Sequence, residues 1–215
     1  MDRRIALKNI GLSLGYVVAV PTLVSLVQSC KDKPAMEWTP DFLSMDQGAA
    51  LMNLVDIILP KTDTPSASEV NVHMFIDKFA NEVMEPKQQE FFKMSMGKFL
   101  DKALKDSGKE TLADLKAEDL EPTLSKALKV TKEEEIENFK VITSYQEAIE
   151  NQESAQLDEG ISRFAFANNL RGMTIWAYKT SEYVGEEVLA YLPVPGEYIG
   201  CDDVQELTGG KAWSI

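Results

Sequence analysis

The chain has 215 residues, 44% of them hydrophobic and 27% charged, which is enough to build one sizeable core and is unlike a disordered sequence. Its net charge of −13 opposes binding to a phosphate backbone, and no basic stripe offsets it, so nucleic acid is excluded as a partner. Two cysteines, Cys30 and Cys201, and a single histidine, His73, limit the metal and redox chemistry available.

The first thirty residues have the parts of an export signal: a charged head, an apolar run from Ile10 to Val27 broken by Gly11, Gly15 and Pro21, and a small residue before a break. Arg3-Arg4 followed by Ile5-Ala6-Leu7-Lys8 resembles the twin-arginine signal, which serves proteins exported already folded. Val27-Gln28-Ser29-Cys30 resembles a lipobox, in which the Cys30 thiol takes a diacylglycerol and cleavage precedes it. The expected organisation is a signal over 1–29, a polar tether over 30–39 and one domain over 40–215. An uncleaved anchor helix, or cleavage elsewhere, is the alternative, and both place the protein on the periplasmic side of the cell envelope.

Beyond the tether the periodicity is helical. Ser44-Met45-Asp46-Gln47 has the form of a capping box, followed by Leu51, Leu54, Val55 and Ile58 at helical spacing until Pro60. Residues 60–69 read as a turn-rich loop. A second helix is expected from Val72 to Met84, burying Phe75, Ile76, Phe79 and Val83. Pro86 begins a third, with Phe92, Met96, Phe99 and Ala103 on one face and Gly108 near its end. Thr111 to Lys129 reads as one or two short helices broken near Pro122, and Thr131 to Glu134 as a second capping box. Glu150 to Glu159 reads either as a loop or as an exposed helix. Phe164, Ala165, Ile175, Trp176 and Lys179 mark a last helix. Strand-like alternation is nowhere sustained, so the fold class is all-α: an irregular helical bundle with an extended Pro/Gly-rich C-terminal tail from Leu192. The tail needs something to lie against, either its own bundle or another subunit.

Catalytic equipment is missing from the pattern. No glycine-rich dinucleotide fingerprint and no Cys-x-x-Cys-His haem motif occurs, and one histidine cannot make a multi-histidine metal site. His73 reads as a packing or helix-surface residue. The runs Glu133 to Glu135 and Asp202-Asp203 read as solvated acids. Cys201, left without a partner once Cys30 is lipidated, is expected to be buried. No catalytic, cofactor-binding or metal residue is therefore expected in this chain.

Several segments taken in order resemble the gluconate 2-dehydrogenase subunit 3 family. Ile57 to Pro65 is similar to its ILP-x-TDTPGA segment, leading into Val72 and Phe75-Ile76-Asp77. Tyr178-Lys179-Thr180-Ser181-Glu182 resembles YFTSE, Leu192 to Cys201 resembles PVPG-x-Y-x-GC, and Gly210 to Trp213 the closing element. Ser66 stands where the family usually has glycine, and serine tolerates a positive φ poorly. The resemblance implies a small accessory subunit beside a large flavoprotein of the glucose-methanol-choline type, with FAD in that partner and haem c in a cytochrome c third subunit. The complex would oxidise a sugar, sugar acid or glycoside, and the small subunit would aid export and stability of the catalytic one. On that reading Thr62, Asp63, Thr64 and Pro65, with Tyr183, Pro193, Pro195, Tyr198 and Trp213, are candidates for the partner interface. The same segments could instead merely close the bundle. A stand-alone envelope lipoprotein that binds or scaffolds other proteins is the alternative function.

Overall fold

A computed structural model describes residues 38–192, 196 and 201–214. The expectations for Arg3, Arg4, Cys30, Pro193, Pro195 and Tyr198 lie outside the described residues. The all-α reading holds. The helices are α1 (Met45–Ile58), α2 (Val72–Glu82), α3 (Pro86–Ser107), α4 (Ala117–Leu128), α5 (Lys132–Glu150), α6 (Glu159–Lys179) and the short α7 (Val204–Thr208), with a 3₁₀ turn at Leu112–Asp114 and a π turn at Val184–Val188. Among the described residues the only extended pairing is an isolated parallel bridge between Ala190 and Trp213. No helix of that set is long and apolar enough to cross a membrane.

Helix boundaries follow from local chemistry. The Ser44 hydroxyl accepts the Gln47 amide N–H (3.3 Å) while the Gln47 side chain accepts that of Ser44 (3.1 Å), so two otherwise orphaned donors are satisfied at the head of α1. Thr131 and Glu134 repeat the device on α5. Proline stands first in α3, where its missing N–H costs nothing, and Gly108 ends that helix at φ 68°.

α6 is the axis of the bundle and packs against each of α1 to α5. The core around it holds Leu51, Leu54 and Val55 of α1, Met96, Phe99 and Leu100 of α3, Leu120 and Leu124 of α4, and Phe166 and Leu170 of α6. The Phe166 ring meets those of Phe99 (5.1 Å) and Phe92 (5.7 Å) between centroids. The α3 face expected from spacing, Phe92 through Ala103, is the buried one. By contrast α5 buries Ile142 alone, in a small satellite cluster with Phe164 and Ala165, and leaves Ile136 and Phe139 exposed.

Three expectations change. Pro122 lies inside α4 and does not break it. The ring forfeits one ladder bond, and the burial of Leu120, Thr123 and Leu124 on either side holds the helix through it. On α2 the buried row is Val72, Ile76 and Ala80, whereas Phe75 and Val83 are exposed and Phe79 is half-buried. Cys201 is exposed, not buried. Glu150 to Glu159 resolves as the end of α5, a loop, and the start of α6.

The segment before α1 is pinned from below. The Asp77 carboxylate, almost fully buried, accepts the amide N–H groups of Asp41 (2.7 Å) and Leu43 (2.9 Å). Buried His73 packs edge-on against Trp38, 5.0 Å between centroids, which agrees with a packing role.

Candidate functional site

The loop between α1 and α2 is held from several sides. Pro60 ends the α1 pattern, and Asp56 in the last turn accepts both the backbone N–H (2.7 Å) and the hydroxyl (2.6 Å) of Ser68. The Ala67 N–H donates to the Leu59 carbonyl (3.0 Å), and the Thr62 N–H to the Thr64 carbonyl (3.0 Å). From across the bundle the Tyr178 hydroxyl of α6 donates to the Pro65 carbonyl at 2.8 Å. Glu69 accepts the Ser66 N–H (2.9 Å) and pairs with Lys61, whose hydrogen bond is the main reason its carboxyl is held below the usual range. Ser66 is buried with an ordinary φ, so serine in place of glycine costs no backbone strain. The positive φ of this region falls instead on Asn71 (60°), directly ahead of α2, where asparagine is among the residues best suited to it.

Between this loop, the outer side of α2 and the end of α6 runs a groove of about 640 Å³. Pro65, Val70, Met74, Phe75 and Tyr183 give it an apolar lining, and Tyr183 (54% exposed) and Phe75 (39%) leave it open to solvent. Alongside it Phe75, Phe79 and Trp176 form an aromatic ridge. Trp176 meets Phe75 (5.1 Å) and Phe79 (5.5 Å) edge to face, yet stays 44% exposed. Exposed aromatics gathered in one place mark an interaction surface more often than a solvated one.

Of the residues singled out from sequence, Pro65 and Tyr183 meet in this groove, with Thr62 and Asp63 exposed at the loop tip and Thr64 half-buried. Trp213 is not part of it. Its backbone pairs beside Ala190, with the Ala190 N–H donating to Ala212 (2.8 Å) and the Ser214 N–H to Ala190 (2.9 Å). That closing segment lies tight against the π turn, where a Cβ on Gly185 would stand 3.2 Å from the Ser214 hydroxyl.

Met74, Phe75 and Trp176 were not expected at a surface. The signal was present: apolar residues on α2 occupy two adjacent rows four apart, Val72–Ile76–Ala80 and Phe75–Phe79–Val83, one more than a single core contact uses. The second row carries the larger side chains, so size alone points to the wrong one.

A second cavity, of about 420 Å³, lies among α3, α4 and the starts of α5 and α6. Its charges answer one another. Asp106 takes Lys102 and Lys126, with Arg163 near enough to contribute, and Lys102 is the chief cause of its depressed pKa. No group of three or more metal-ligating acids, histidines or cysteines exists among the described residues.

The family model described as gluconate 2-dehydrogenase subunit 3 matches residues 45–196. That span begins with α1 and includes the loop, the groove and the π turn. No curated protein and no solved structure matches the chain.

Proposed function

Because the chain belongs to the gluconate 2-dehydrogenase subunit 3 family, we propose that it is the small accessory subunit of a membrane-associated, flavin-dependent dehydrogenase complex. The catalytic partner is a large flavoprotein of the glucose-methanol-choline type that oxidises a sugar, sugar acid or glycoside hydroxyl and holds the FAD. Haem c belongs to a cytochrome subunit, where the complex has one. This chain performs no chemistry. His73 is taken up in packing on Trp38, and the sequence carries no glycine-rich dinucleotide fingerprint.

Its work in this reading is delivery and stabilisation. Arg3-Arg4 directs the folded pair to export, and Cys30 carries the lipid that tethers it to the periplasmic face of a membrane. The Thr62–Pro65 loop and Tyr183, with the tail residues Pro193, Pro195, Tyr198 and Trp213, meet the flavoprotein. The observation that supports this best is the aromatic ridge beside the groove. A small domain that leaves Phe75, Trp176 and Tyr183 open on one side gains from covering them.

The test is affinity purification of the tagged full-length chain from its native host in detergent. The expected result is a larger co-purifying protein with a flavin absorption band, and dehydrogenase activity that follows it through the column. A colourless preparation of this chain alone would contradict the reading.

A further inference from the structure

We infer that the groove between the Thr62–Pro65 loop, α2 and the end of α6 seats an apolar segment of the catalytic partner that carries a positively charged side chain, and that Glu182 is the counter-charge that receives it. The inference rests on the accessory-subunit reading and adds to it the chemistry of the bound segment.

The lining carries three formal charges: Glu69, Lys78 and Glu182. Glu69 is already paired with Lys61 and bonded to the Ser66 amide. Lys78 stands 3.8 Å from Glu82, one turn further along α2. Among the described residues Glu182 alone of the three has no ion pair or side-chain hydrogen bond, and it sits exposed beside Tyr183. The neighbouring hydroxyls are spent inside the fold. Ser181 donates to the Tyr178 carbonyl at 2.8 Å, and Thr180 to that of Trp176 at 2.9 Å. The trough therefore presents apolar walls and one negative charge with no partner among the described residues, on a protein whose net charge is −13.

Such a surface sorts its occupants. An acidic segment would bring a second carboxylate against Glu182, and Lys78, the cation of the lining, already faces Glu82. A purely apolar segment that covered Glu182 would strip water from its carboxylate without compensation. A segment with a lysine or arginine among aliphatic or aromatic residues satisfies both parts. Its apolar groups cover Met74, Phe75 and Tyr183, and its cation pairs with Glu182 from the rim, where the pair acts mainly on association rate and register. A second copy of this chain is a poor fit, because the facing surfaces would both be acidic.

The experiment compares tagged full-length chains produced with the flavoprotein in the native host, reading the flavin recovered per tagged chain at low and at high salt. Glu182→Lys is expected to lower recovery at low salt at least tenfold. Glu182→Gln should lower it less and flatten its dependence on salt. Met74→Asp should lower it at both salt concentrations. Far-ultraviolet circular dichroism and the unfolding midpoint of each purified variant should match wild type, since both positions are exposed. Wild-type recovery from Glu182→Lys and Met74→Asp would overturn the inference while leaving the accessory role intact. A Glu182→Lys chain that binds more flavoprotein would overturn the assigned charge. An untagged copy of this chain captured through the same residues, in place of flavoprotein, would show a self-interface and overturn it as well. Wild-type chain that recovers no flavoprotein at all would overturn the accessory role first, and this inference with it.

Discussion

His73 and Asp77 sit one turn apart on α2 and hold the same incoming segment by different means. Burial drives the His73 pKa below its usual value, and the carboxylate of Asp56 opposes this only in part. The folded chain thus keeps the ring neutral where the unfolded chain, at its ordinary pKa of about 6.5, takes up a proton. Stability from this residue is complete above that pH and falls as the pH drops below it. Replacing His73 with Phe should therefore narrow the difference between thermal midpoints measured at pH 8 and pH 5, and an unchanged difference would refute the assignment. Asp77→Ala strands the buried N–H of Leu43 and frees the part-buried one of Asp41, a loss on the order of 2 kcal/mol. Urea unfolding should show it as a lower midpoint with an unchanged slope.

At the level of helices, most of the architecture was legible because the signals were local. Capping boxes at Ser44 and Thr131, proline at the start of α3 and glycine at its end each act within four residues, and each is where the sequence puts it. What escaped were outcomes decided by tertiary contact. Whether Pro122 interrupts a helix depends on the packing of Leu120 and Leu124, and which row of α2 turns inward depends on α6. The loop half of the candidate site could be named from its residues, but the groove could not, because Pro65, Phe75 and Tyr183 meet only after α6 has docked. Pro122 still carries a cost within a formed helix. Pro122→Ala should restore the missing bond and raise stability by about 1–3 kcal/mol, visible as a higher denaturation midpoint.

For the whole molecule, acidity and the proposed anchor make separate demands. The described helical body needs no membrane contact to bury its core, since α6 gathers the other helices around itself. Attachment would then rest on residues before Trp38. Three acyl chains on Cys30, at about 0.8 kcal/mol per buried methylene, would hold the protein irreversibly. Cys30→Ser should shift it from the membrane pellet to the soluble fraction on cell fractionation, together with the proposed flavoprotein. Retention in the pellet would point to the apolar run before Cys30 as an uncleaved span.

The pairing of Ala190 with Ala212 and Ser214 has a consequence for how this chain can change over time. It ties a knot at both ends of the stretch between them, so residues added inside that stretch lengthen a closed ring and cost little, since ring closure grows only with the logarithm of length. Loss of the Ser214 N–H, by contrast, would leave the Ala190 N–H bond to Ala212 as the remaining backbone tie of that bridge. An insertion between Cys201 and Asp203 should therefore be tolerated, whereas Ser214→Pro, which removes the N–H donated to Ala190, should loosen the bridge.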